Sequence, residues 1–388
     1  MKKSTNRCIL IMIMVLFILL SGYSSQKESA NNSNKVLKTK DFPKVTQNIN
    51  DFKVVSADDF LSDSKPISIP ESMKFTPMAY NDNGILFGIV ELKNKKNVQL
   101  TKLDTKAGTY TKLKNAETDQ SIIRILSASN DYILFQEYSR EVMNYYLYDL
   151  KNSTYKLFYQ SKDTYSLNND SAIIDKDRSY LFLTKNTADG SVEPINYELD
   201  NKTLQLMEFA KNNMISAPVI YKDHLYYLDT DRKNQTVQVK QYNRKQKKSA
   251  VLAEGNKNDG YFSNLQTDGK HLFVFTLNEN ESQRRQNCYK LDPETLDILP
   301  YFYADYMESM YGSQGYLNWA GETNINRVHP QYYFLDTAND LLYIYKDSIL
   351  NFNSNSIAWT KFLVDEETIP KGEIFTSKYS QIMIKDLT

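Results

Sequence analysis

One unit repeats along this chain, and the repeat restricts the fold more than any other feature. Runs of bulky apolar residues centre on Phe87, Phe135, Phe182, Tyr227, Phe273 and Trp319, with successive gaps of 48, 47, 45, 46 and 46 residues. Further along each unit, an Asp or Asn closes a second strand-like segment. These residues are Asp104, Asp149, Asp200, Asn243, Asp292 and Asp336, with gaps of 45, 51, 43, 49 and 44. A period in the forties made only of strand-type segments is the signature of a β-propeller. A β-sandwich also has short strands and turn signals, but it does not account for a shared period.

The first five runs open with turn formers: Asn83-Gly84, Asn130-Asp131, Asp175-Lys176-Asp177, Lys222-Asp223 and Asp268-Gly269. The sixth opens with Gly312-Ser313-Gln314-Gly315. The runs are apolar on both faces, as a strand sandwiched between stacked sheets requires. The 29 Tyr and 18 Phe, against 12 Gly and 10 Pro, suit a chain of many short strands. Residues 53–388 number 336, or seven units of 48, so an all-β ring of seven blades is expected, with six or eight as the alternatives. The last unit would use SIAWTKFLV (356–364), EIFTSKY (373–379) and QIMIKD (381–386). The segment NDFKVVSADDF (50–60) would supply an outer strand that closes the ring across the termini, because an open edge invites aggregation.

The N-terminus reads as a targeting segment. Lys2, Lys3 and Arg7 precede an unbroken apolar run at 9–20. Twelve residues rise only ~18 Å as a helix, short of a ~30 Å bilayer core, so the pattern is a secretory signal. Leu20-Ser21-Gly22-Tyr23 resembles a bacterial lipobox with Tyr23 in place of the cysteine, so no thiol is present to receive a lipid. Three readings stay open: release by ordinary signal peptidase, an uncleaved leader that holds the protein at the membrane, or a strain or sequencing variant. The expected organisation is a signal at 1–23, a flexible tether at 24–45 and the propeller at 46–388. Cys8 lies in the leader, which leaves Cys288 alone in the body and no internal disulfide. Export without disulfides points to the outside of a Gram-positive cell. Net charge is zero, and removal of the three leader cations leaves −3, which gives no electrostatic case for nucleic acid.

No Walker loop, GxGxxG, GxSxG, HExxH or CxxC occurs. His224 and His271 open equivalent strands, where a ring nitrogen can bond a turn carbonyl; no third ligand accompanies them. His329 sits in a loop. The acidic strings Asp175-Lys176-Asp177, Asp229-Thr230-Asp231 and Glu279-Asn280-Glu281 lack the donor pattern of a calcium loop and suit turn solvation. No catalytic residue, cofactor or metal site is assigned. The strongest binding signal is aromatic: Tyr301, Tyr303, Tyr306, Tyr311, Tyr316 and Trp319 fall within twenty positions. Such residues stack on sugars or anchor interfaces when exposed, and pack between sheets when buried. The segments Lys93–Asn97, Ser139–Met143, Asn186–Ser191, Arg232–Thr236, Asn278–Arg285 and Glu322–Val328 are polar loops of mixed charge, and propellers build sites from such loops.

Segments 221–252 and 267–299 carry a polar turn, an aromatic run, an x-Tyr-x-Leu-Asp strand, a basic or polar turn and a final strand. Over most of residues 75–345 this pattern resembles exported bacterial propellers of the TolB-like and domain-of-unknown-function lipoprotein type. The WD40 and sialidase marks are missing. The resemblance implies binding or scaffolding at the cell envelope rather than a defined reaction; the further expectations are a monomer, a protein or cell-wall glycan as partner, and membrane association through the N-terminal segment. The alternatives are a propeller-type glycan hydrolase or lyase, and a companion of a membrane complex.

Overall fold

Each repeat folds into an antiparallel four-stranded sheet, and the computed structural model arranges seven such sheets as blades of a ring. It describes residues 36–387 except 71–72, 93–97, 140–141, 162–169, 187–191, 211–215, 232, 278–284, 306, 322–331, 346–349 and 364–379. Blades 1 to 6 span 73–115, 122–161, 171–210, 219–256, 261–304 and 308–345, and blade 7 combines 351–386 with 65–67. First strands of neighbouring blades face one another around the axis, and fourth strands lie outside.

The six apolar runs are all second strands, and their central residues Phe87, Phe135, Phe182, Tyr227, Phe273 and Trp319 are buried, as is Trp359 in blade 7. Among the described residues the core divides into seven hydrophobic clusters, one at each junction between blades. This is how a repeat that cannot bury its faces alone distributes its stability.

The six closing Asp and Asn residues have a physical role. Each ends or directly follows a third strand and accepts hydrogen bonds of 2.8–3.2 Å from backbone N–H groups two or three residues on, which fixes the turn into the fourth strand. Four residues after each of them the backbone has positive φ, at Gly108, Ser153, Leu204, Lys247, Leu296 and Asp340. Only the first is glycine, so the side chain of the Asp or Asn holds a conformation that five L-residues disfavour. In blades 1 to 5 the third and fourth strands also share a bulge, which adds local twist.

Ring closure differs from expectation in one respect. The closing strand is Lys65–Ile67, antiparallel to Ser380–Asp386 in blade 7. Residues 53–56 instead form a fifth strand on blade 6, parallel to Leu341–Ile344. The segment stops being a strand there because Ser56 caps a short helix, Ala57–Leu61, whose Asp58 and Asp59 favour its first turn. The inner strand of blade 7 is Asn351–Phe352, and the expected strand at 373–379 lies outside the described residues.

The packed chain also begins before residue 46. Leu37–Lys38 pairs in parallel with Ala253–Glu254 on the edge of blade 4, and Asn48 bridges to Tyr303 on blade 5. Residues 37–67 thus form a strap over the outside of four consecutive blades. It places Val45 in the cluster between blades 4 and 5, Ile49 and Phe52 between 5 and 6, Ala57 and Leu61 between 6 and 7, and Ile67 between 7 and 1.

Candidate binding face

Up-and-down blades put their loops on two ends of the ring. One end carries the turns between first and second strands and between third and fourth strands. These turns run from two residues (176–177) to six (292–297). The other end carries the facing termini of the second and third strands and the links between blades, 116–121 among them. Of the six polar loops picked out in the sequence, Lys93–Asn97 and Glu322–Val328 lie wholly outside the described residues, and Ser139–Met143, Asn186–Ser191, Arg232–Thr236 and Asn278–Arg285 lie partly outside them.

The turn end is locked from blade to blade. Asn81 Nδ2 donates to Ser129 O of blade 2 (3.1 Å), and Asn353 Nδ2 of blade 7 donates to Asn81 O (2.9 Å). In blade 5, Asp268 accepts from the backbone N–H groups of Lys270 and His271, from His271 Nδ1 (3.0 Å), and from Thr337 Oγ1 of blade 6. Burial pushes the Asp268 carboxyl up, but the bonds from His271, Thr337 and Lys270 outweigh it and hold the group below its ordinary value.

The connection end rests on buried polar groups. Lys114, on the fourth strand of blade 1, pairs with Glu137 on the second strand of blade 2, and both are buried. Glu137 Oε1 also accepts the N–H of Glu117 (2.6 Å), and Glu117 Oε1 accepts the Tyr146 hydroxyl (2.6 Å). Thr118 N–H donates to Ser121 Oγ at 3.0 Å. The link 116–121 is therefore pinned at Glu117 and Thr118, with Glu117, Asp119 and Gln120 facing solvent. Burial, and then the bond to Glu117, raise the Tyr146 phenol well above its ordinary value. Tyr145 donates to Asp170, which leads into blade 3. Gln136, fully buried beside Glu137 in the same strand, has no hydrogen-bond partner for either amide atom among the described residues. On the rim at blade 5, Arg285 donates to Val45 O (2.8 Å) and lies 3.5 Å from the Tyr303 ring centre.

The aromatic set divides. Tyr301 is buried against Phe52 and Phe302, with its hydroxyl on Asp340 (2.7 Å). Trp319 is buried, stacked on Tyr333 and Phe302. The structure brings these two into one cluster between blades 5 and 6. Tyr316 is half-buried against Phe334 and Phe352, at the turn end. Tyr303 is half-buried beneath Arg285, at the connection end. Tyr306 lies outside the described residues; Tyr311 is in the inner strand of blade 6, Glu308–Ser313, with its side chain outside them. Sequence reading passed over Lys114, Gln136 and Glu137. The signal was available, since Gln136 and Glu137 interrupt an otherwise apolar run.

His224 donates Nδ1–H to Lys222 O (2.9 Å) and His271 to Asp268, while His329 lies outside the described residues. Of the acidic strings, Asp175 pairs with Arg244, Asp177 with Lys202, and Asp229 with Lys240. Asp231 caps the turn at Lys233 and Asn234. Among the described residues no group of three or more His, Cys, Asp and Glu is placed to hold a metal, and no helix is long and apolar enough to cross a membrane. Burial of Cys288 raises its thiol pKa, which makes it inert.

These features define a seven-bladed β-propeller closed by strand exchange between its two ends. No protein-family model matches the sequence, and no curated protein matches it. Among solved structures the chain is similar to an oligogalacturonate lyase in complex with manganese, at TM-score 0.52 and 11% identity over 82% of this chain and 92% of that one. It is also similar to the β-propeller domain of the Trilobed protease from Pyrococcus furiosus, at TM-score 0.52 and 10% identity over 83% and 97%. That domain is described as having an open velcro topology, whereas here Lys65–Ile67 closes blade 7. TolB from Acinetobacter baumannii matches at TM-score 0.46 and 14% identity over 66% of this chain, which spans 61% of TolB. At these identities the likeness is one of fold.

Proposed function

We propose that the protein is a non-catalytic binding module of the cell envelope that holds a protein partner or a glycan on the connection end of the ring. The observation that carries this reading is the contrast between the two ends. The turns at one end are short and fixed by repeated side-chain caps, while the other presents the solvent-facing residues of the link 116–121 and the Arg285–Tyr303 pair. Loops that vary on a rigid ring are where propellers place recognition. The buried Lys114–Glu137 pair serves this role by presenting the link 116–121 in one shape. On the rim, Tyr303 with Arg285 supplies an aromatic and a cation, and Tyr306 and Tyr311 follow in the chain. The cationic leader with its apolar run at 9–20 supports a site of action outside the cytoplasm.

The test uses the full chain as bait for envelope proteins and for cell-wall fragments, beside a variant carrying Arg285→Ala and Tyr303→Ala. Specific capture that is lost in the variant, with the thermal midpoint retained, is the expected result. Capture that survives the replacement would remove this end of the ring from the role. Release of unsaturated sugars from polygalacturonate in the presence of manganese would overturn the non-catalytic reading in favour of a lyase.

A further inference from the structure

Outer edge strands of a ring offer backbone to any extended chain that can approach, and proteins guard such edges with charge, proline or cover. Each blade here can be compared at one register position, the fourth residue after the positive-φ turn residue. In blade 1 that position is Lys112, in blade 3 Glu208, and in blade 5 Pro300, which has no N–H to offer. In blade 6 it is Ile344, and there the strap covers the edge, with Lys53 to Ser56 paired in parallel to Leu341 to Ile344. In blade 4 it is the half-buried Val251, with the strap two residues beyond at Ala253–Glu254. The outermost strand of blade 7 begins with Lys65 and Pro66.

Blade 2 breaks the pattern. Its residue at this position is Leu157, and no fifth strand pairs there among the described residues. Thr154, Tyr155, Lys156 and Leu157 are all exposed, with Tyr155 at 44% and Leu157 at 48%. They occupy the same register as Leu341 to Ile344, which are buried or half-buried under the strap on blade 6. Strand alternation puts Tyr155 and Leu157 on one face and Lys156 on the other. The Tyr155 ring is already positioned, stacked on Tyr148 with Lys114 Nζ 5.5 Å from its centre.

We propose that the outer edge of blade 2, at Thr154–Leu157, docks an extended strand of a partner protein in parallel, as the strap docks on blade 6. The occupant is a β-strand with aliphatic residues at alternate positions to cover Tyr155 and Leu157, and an acidic residue between them for Lys156. The molecule itself supplies the precedent: Val54 and Val55 of the strap occupy the matching edge of blade 6. Main-chain hydrogen bonds would give affinity, and the alternating side chains specificity.

The experiment is hydrogen exchange with mass spectrometry on the full chain, with and without a synthetic peptide, acetyl-Thr-Val-Glu-Val-Glu-Val-Thr-amide, at millimolar concentration. The expected result is several-fold slower exchange in the 154–161 region and none at the edges of blades 1 and 3. Leu157→Pro, which copies Pro300 of blade 5, should abolish that protection with the thermal midpoint kept. Leu157→Glu, which copies Glu208 of blade 3, should do so without removing an N–H. A peptide with Lys in place of Glu should protect less. Protection in either Leu157 variant equal to that of the unchanged chain, protection at every open edge, or no protection at all would overturn the proposal. So would a concentration-dependent dimer of the chain alone that buries this strand.

Discussion

Blades 4 to 7 and blades 1 to 3 solve one packing problem in two ways. The junctions from 4–5 round to 7–1 each receive an apolar side chain from the strap, such as Val45, Phe52, Leu61 or Ile67. The junctions 1–2, 2–3 and 3–4 receive none among the described residues; polar links cross them, as they also cross 5–6 at Asp268–Thr337 and 7–1 at Asn353–Asn81. Lys114 pairs with Glu137 across the first and Tyr145 with Asp170 across the second. At the third, Tyr242 donates to Glu198 (3.1 Å) and Arg244 pairs with Asp175. An apolar plug gains from burial alone. A buried ion pair must recover its desolvation cost through geometry, so it adds specificity more readily than stability. The unstrapped half is therefore expected to be the more sensitive to loss of a single partner.

The largest effect tests that half. Glu137→Ala leaves the Lys114 ammonium buried without its partner and should cost about 3–5 kcal/mol, read from urea unfolding. Replacing both residues, as Lys114→Met with Glu137→Leu, should recover most of that loss; failure to recover would mean that the pair contributes net stability. In the strapped half, Phe52→Ala removes a ring that packs edge-on against Tyr301 and Phe302 at 5.8 and 5.9 Å, and should cost about 3–4 kcal/mol, with amides near Tyr301 exchanging faster. A cost under about 1 kcal/mol would show that the strap covers the ring without supporting it. The smallest effect acts on backbone. Ser153, at φ 53° in blade 2, changed to Gly should stabilise by about 0.5–1 kcal/mol, seen as a raised thermal midpoint. A fall would mean that the Ser153 side chain contributes more than its strained backbone costs.

The parts of this molecule that repeat were legible in the sequence. Phe87 and its counterparts marked the second strands, and Asp104 and its counterparts marked turns that need a side-chain acceptor, because the same local physics acts in every unit. The strap was only partly legible. Lys53–Ser56 does read as a strand, but its partner lies almost 290 positions away at Leu341–Ile344, and no local pattern names that partner. The aromatic cluster at 301–319 shows the same limit from the side of function. Tyr and Trp in strands look alike whether they face a neighbouring blade or solvent, and only the junction between blades 5 and 6 shows Tyr301 and Trp319 buried. Gln136 and Glu137 were visible as breaks in an apolar run, but Lys114, which gives Glu137 its meaning, comes from the previous unit.

Closure by Lys65–Ile67 also sets a timetable. These residues leave the ribosome early, yet their partners are Ile382 to Ile384. At about 5–20 residues per second, the first strand waits on the order of 15–60 s for its mate. Through that interval the circle cannot shut, however well the middle blades have formed.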